Sequence, residues 1–230
     1  ASAIAATALL PPTTERQVLR SAVVQPFDPQ DYPSPLRGFR GSEPSPAARD
    51  TMLTVSGLQS GGRIRIATLD SYDGVVYSVG ADQPDNASAS FTRVPYTFDQ
   101  SAVTGKQVTL DVTIGDYSGV WVPTIGQFES VAFSGDDAPR LRDSFYYNDN
   151  SGTAAVLRPL ARGDRYTVTA IVPNQPSADQ LAELAPGKAR VPQATVLPNQ
   201  LSAVLDGYVD GIDGAGARLA AMRAALKKNG

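Results

Sequence analysis

The chain has 230 residues, 42% of them hydrophobic, a formal net charge of −3, and neither histidine nor cysteine. That length and apolar content suffice for one large all-β domain or two small domains with real cores. Without imidazole or thiol, the Cys–His and Ser–His–Asp nucleophiles and zinc sites of nitrogen and sulfur ligands are excluded, and the mildly acidic balance offers nucleic acid and anionic lipid no attraction.

The chemistry that survives is a carboxylate pair, a Ser–Lys dyad or an all-oxygen calcium site. Sixteen Arg against four Lys, with abundant Ala, Gly and Pro, suggests a GC-rich bacterial source. The absence of Cys fits an envelope protein without disulfides and equally a cytosolic one.

In chain order, Ala1 to Leu10 is apolar and uncharged and stops at Pro11-Pro12. It reads either as the outer end of a transmembrane helix or as an Ala-rich arm, being too short to span a bilayer alone. Thr14 to Val24 has the pattern of a short helix with Thr14 as N-cap. Gln25 to Gly41 holds four prolines, which fix φ and remove backbone donors, so it reads as an extended connector. Phe27, Tyr32, Leu36 and Phe39 are expected to pin it to the body of the protein.

From Thr51 the hydrophobic period becomes two. Strands are expected at Met52–Ser56, Arg63–Asp70, Val75–Val79, Ser90–Val94, Gln107–Ile114, Gly119–Val122, Phe128–Phe133, Asp143–Asn148, Thr153–Leu157 and Arg165–Val172. Ile64, Ile66, Val108, Leu110, Val112 and Ile114 are expected to share a buried face. Turn residues at Ser60 to Gly62, Asp73-Gly74, Asp116 to Gly119, Ser134-Gly135, Asn150 to Gly152 and Arg162 to Asp164 separate the strands. Short strands at this spacing predict a mainly β fold, an antiparallel sandwich or open barrel. After Val172 the period changes again. Ser177 and Gln180 have capping-box spacing for a helix ending near Leu184, and a second helix is expected over Asn199–Val209, burying Leu201, Val204, Leu205, Tyr208 and Val209. A third begins near Asp213, with Leu219, Met222 and Leu226 on one face and Lys227 and Lys228 opposing the C-terminal dipole. The organisation expected is therefore an arm and connector (1–50), a β-sandwich-like domain (51–173) and a helical segment (174–230).

Three carboxylates, Asp206, Asp210 and Asp213, would share a face if one helix ran through them, and are the calcium candidates, set against solvation and helix capping. Asn148 to Gly152 lacks the distal Glu of a calcium loop and reads as a tight hairpin turn. The four glutamates, Glu15, Glu43, Glu129 and Glu183, lie in unrelated parts of the chain, and Ser-x-x-Lys occurs nowhere. No catalytic residue and no cofactor is therefore assigned. Trp121, the only tryptophan, is either a binding platform or a core ring, the second favoured by its Val neighbours. Tyr146 and Tyr147 point to opposite faces of a strand, so that at most one is expected inside. These three rings are the candidate interaction surface.

The runs Pro26 to Arg40, Ile66 to Tyr77, Val120 to Gly126, Phe145-Tyr-Tyr-Asn148 and Arg162 to Tyr166 follow one another in an order that resembles the extracytoplasmic region of membrane-anchored, transglutaminase-like (TgpA-like) proteins of actinobacteria. The resemblance covers most of the chain, and its specificity lies in the combination. It implies that Ala1 to Leu10 ends the last helix of a membrane bundle, and that a papain-like core with a Cys–His–Asp triad follows the β region. No residue here matches that triad, so no catalytic role carries over. The resemblance implies a non-catalytic scaffold outside the cytoplasmic membrane, partnered by the adjacent core and membrane helices of a longer protein. The alternative is an independent envelope module that binds a glycan or a protein.

Overall fold

A computed structural model of the protein describes residues 27–39, 50–80, 91–94, 97–187 and 196–229. The expected helix at Thr14–Val24, the apolar arm and Ser90 lie outside them. The strands are β1 (Leu53–Ser56), β2 (Ser71–Tyr72), β3 (Tyr77–Ser78), β4 (Thr92–Arg93), β5 (Gly105–Ile114), β6 (Gly119–Val122), β7 (Gln127–Ser134), β8 (Phe145–Asn148), β9 (Thr153–Leu160) and β10 (Arg165–Pro173). The helices are α1 (Pro35–Phe39), α2 (Ala138–Asp143), α3 (Ala178–Glu183), α4 (Leu201–Val209) and α5 (Ala215–Asn229).

Where apolar residues alternate most strictly the chain forms its longest described strand, β5, and Leu110, Val112 and Ile114 point inward as expected. The partners alternating with them face water: Thr167 Oγ1 donates to Asp111 at 2.6 Å, and Gln107 Nε2 donates to Glu129 at 2.7 Å. β5 is central in a four-stranded antiparallel sheet of order β1-β5-β10-β7. A second sheet, β4-β8-β9-β6, is also antiparallel. The core between the sheets joins Leu110, Val112, Phe128 and Val168 of the first to Phe145, Tyr147, Val156 and Val122 of the second. The fold is mainly β and sandwich-like, and among the described residues the sheets form no closed barrel.

The second sheet is covered on its other face as well. Val120, Trp121, Tyr146 and Ala155 form a separate buried cluster with Phe27 and Val79, against which Tyr32, Ile66 and Phe91 pack. Tyr146 and Tyr147 are consequently both buried, at 2% and 0% exposure, where sequence alternation allowed one. A strand between two packed faces has no solvent side, so its pattern carries no polar alternation.

Arg63–Asp70 does not form the expected strand. Only Arg65 bridges, to Thr124, and Ile64 and Ile66 pack against different clusters rather than one face. The reason lies in Arg65, whose guanidinium is drawn inward and donates to the carbonyls of Gly126 (2.7 Å) and Gly152 (2.6 Å). Burial lowers its pKa, yet its two carbonyl partners keep the segment clamped across the hairpin loop at Asn148 to Gly152. That loop is the tight turn expected: Asn148 Oδ1 accepts from the amides of Asn150 and Ser151. Val75–Val79 shortens to β3, paired with β2. Helix α2, with Pro139 in its first turn, fills the stretch left unassigned between the expected turn at Ser134-Gly135 and strand β8, and takes in Asp143, which was expected to start that strand.

The C-terminal helices follow expectation closely. The Ser177–Gln180 capping box forms in both directions, at 3.2 and 2.9 Å. α3 and α5 meet at Gly216, where a Cβ would fall 2.7 Å from the carbonyl oxygens of both Ala182 and Leu184. Val209 is buried, but Val204, Leu219 and Leu226 are about half exposed, so the apolar face expected to be covered is open. Among the described residues no helix is long and apolar enough to cross a membrane.

Burial raises the pKa of Tyr117, Tyr147 and Tyr166 above the ordinary 10.0. The unfolded chain then loses these protons first, so stability is complete below pH 10 and falls as the pH rises above it, by up to about 1.4 kcal/mol per pH unit for each group. Urea midpoints should be flat from pH 7 to 9 and drop beyond 10, with part of the tyrosinate absorbance appearing only on unfolding. Titration of all nine tyrosines near pH 10 with the fold intact would contradict this burial.

Candidate interaction surfaces

Two surfaces stand out, one where the connector meets the second sheet and one on the C-terminal helices. The connector enters at Phe27, whose ring stacks on Tyr32 (centroids 4.9 Å apart, 7° between planes), meets Trp121 edge-on at 5.8 Å and lies 5.7 Å from Tyr146. Aromatic pairs at such separations gain about 0.5–1.5 kcal/mol each beyond the area they bury. Polar tips complete the attachment. Trp121 Nε1 donates to Pro33 O at 3.3 Å, Tyr32 Oη donates to Leu157 O at 3.3 Å, and Ser34 Oγ donates to Tyr77 O at 2.5 Å. The connector is not extended throughout as expected: Pro29–Asp31 form a short 3-10 turn and Pro35–Phe39 form α1, each opening on a proline, which is tolerated in a first turn because no amide donor is needed there.

Beside the connector is a cleft of about 710 Å3, walled by Tyr32, Pro35, Leu53, Ile66, Tyr117 and Trp121, with Arg37 and Asp116 also in its lining. Volume and lining fall in the range of small-ligand pockets. Its aromatic residues are nevertheless committed to the protein. Trp121 is 3% exposed, and Tyr117 Oη donates to Trp121 O at 2.7 Å. Asp116 is ion-paired to Arg162. A sugar-binding platform needs an open ring face, and none of Trp121, Tyr146 and Tyr147 offers one. The three rings expected as an interaction surface are thus interior, Trp121 and Tyr146 in the outer cluster and Tyr147 in the core between the sheets.

The second surface is the α4–α5 hairpin. α4 stops at Val209, Asp210 caps it with extended ψ, and Gly211 turns the chain with a φ of 68°. One helix does not run through Asp206, Asp210 and Asp213, and among the described residues no three acidic, His or Cys side chains gather to hold a metal ion. The three carboxylates instead line an open cavity of about 950 Å3 between the helices. The break between the two helices was expected from the sequence, but the cavity was not, because the fold back at Gly211 that places α4 against α5 is not encoded in either helix's pattern.

Residues 40–177 match the family model of the TgpA N-terminal domain, more than half of the chain. That span holds both sheets, whereas Phe27 to Phe39 and the α4–α5 hairpin lie outside it. No curated protein and no solved structure matches the chain.

Proposed function

The chain belongs to the TgpA N-terminal domain family, an N-terminal domain of transglutaminase-like proteins, and on that premise we propose that it is a non-catalytic scaffold and interaction domain. It holds or regulates a papain-like core of the same longer protein, outside the cytoplasmic membrane and tethered to it, in an actinobacterial envelope. The three parts are the arm and connector to residue 50, the sandwich to residue 173, and the helical segment beyond it that leads toward the core.

The observation that carries this reading is the distribution of apolar surface. The two sheets bury their large side chains between them, and apart from Leu36 and the β2–β3 hairpin, where Val75 and Tyr77 are exposed, the large apolar residues left about half exposed fall on the helical segment: Leu184, Val196, Leu197, Val204, Leu219 and Leu226. Exposed apolar residues grouped on one module mark a surface that another domain covers. The complete lack of Cys and His agrees with a supporting role, since papain-like chemistry requires both. The connector cleft favours the second reading, a glycan- or protein-binding module, but with its rings turned inward it has little to stack on a sugar.

The test is a side-by-side amine-incorporation and peptidase assay of this chain and of a longer form that continues past Gly230. Activity confined to the longer form is the expected result. Equal binding of a glycan or an envelope protein by two inactive forms would favour the binding module, and activity of the chain itself would overturn both.

A further inference from the structure

The α4–α5 cavity combines an apolar floor with a negative rim. Leu205, Val209, Ile212, Leu219 and Met222 line it, and Asp206, Asp210 and Asp213 stand around them with Arg218 as the one cation. The placement of two of these carboxylates runs against local helix electrostatics. A helix C-terminus carries about half a negative charge, which favours cations in the last turn. α4 has no basic residue in its last turn, and instead places Asp206 there and Asp210 at its cap. Asp213 sits more favourably, two residues before the positive end of α5. Among the described residues no ion pair engages any of the three. A break of a local rule without compensation inside the chain points to a role outside it.

We infer that this cavity is a docking site for a basic amphipathic segment of a partner protein. Charge complementarity selects the sign, and the apolar floor selects an amphipath over a simple cation. Asp206 and Asp210 are one helical turn apart, about 6 Å, which matches Lys or Arg side chains at i and i+4 on a helix. Such a helix lays its apolar stripe into the groove and its cations on the rim. A second copy of this chain fits less well. Its α5 does carry cations at the required spacing, Arg223 and Lys227, but its Leu219 and Met222 already line that copy's own cavity, and pairing two copies α5 to α5 along Leu226 brings like charges together. The inference rests on the scaffold reading and adds the chemistry of the partner.

The test uses the full chain and a fluorescent 14-residue probe peptide of Leu and Lys, with Lys at i and i+4, against the same peptide with Glu in place of Lys. The Lys peptide is expected to bind at least tenfold more tightly. The double variant Asp206→Asn/Asp210→Asn should weaken it about fivefold or more, while Asp136→Asn/Asp143→Asn, elsewhere on the surface, leaves it unchanged. Leu219→Ser, at an already half-exposed position, should weaken binding without unfolding the chain. Equal binding of the two peptides, or no effect of the Asp206/Asp210 variant, overturns the inference. So does a dimer, seen by sedimentation, that this variant dissociates, because the occupant is then a second copy. Binding is read on the chain alone, so these failures are distinct from failure of the activity assay.

Discussion

Replacing Gly126 with alanine is expected to destabilise the sandwich by about 3 kcal/mol, a large part of the 5–15 kcal/mol typical of a domain. Gly126 has a φ of 54°, where a non-Gly residue carries a modest conformational cost. The greater cost is steric. A Cβ there would run into the Ile171 carbonyl, 2.8 Å from its carbon and 3.0 Å from Val172 Cα. Those atoms belong to β10, held by β5 on one side and β7 on the other, so they cannot yield as a flexible side chain would. Any retreat of Gly126 would also pull its carbonyl from Arg65. The control is Gly163→Ala. Its φ is 94°, but nothing lies within 4 Å of the added methyl, so only the conformational cost of about 1 kcal/mol applies. Urea midpoints of the two variants should therefore differ clearly, and equal shifts would refute the close approach.

What could be foreseen divides by how many faces of an element are covered. β5 has one face in the core and one in water, and its alternation located the inward residues correctly. β8 has both faces covered, so Phe145 to Asn148 are all buried and the pattern was silent about the outer cluster. For Trp121 the burial agrees with the interior alternative that its valine neighbours favoured, and not with its place among the candidate surface rings. Its adjacent residue Val120 shares the same cluster, at a register shift between Gly119 and Trp121 that no two-residue period encodes. Arg63 to Ala67 misled for a different reason. The alternation is real, but a buried guanidinium with two carbonyl partners from distant loops overrides strand pairing. The helices from Ser177 onward were legible because caps and turns are local. The α4–α5 cavity was not, since its shape depends on how the chain reverses at Gly211 and not on the periodicity of either helix.

Phe27→Ala should release the connector while leaving the two sheets paired. The ring touches Tyr32, Phe91, Trp121 and Tyr146 and is 5% exposed, so truncation removes four aromatic contacts and leaves a cavity, at a cost of about 3–5 kcal/mol where surroundings cannot collapse. What holds the connector besides this ring is a few hydrogen bonds from Tyr32, Ser34 and Trp121, each contributing about 1 kcal/mol net. The balance therefore tips to detachment of the connector before the core between the sheets is disturbed, because that core shares no buried residue with the Phe27 cluster. Trp121 is the single tryptophan and reports this event alone. Its emission should shift to longer wavelength and its quenching by acrylamide should rise several-fold, with the β-sheet circular dichroism unchanged. If Trp121 stays protected, the connector is held by the rest of its contacts and Phe27 is not its anchor. If sheet signal is lost together with protection, the outer cluster and the sandwich form one cooperative unit, and the position of the connector is then as well fixed as the sheets themselves.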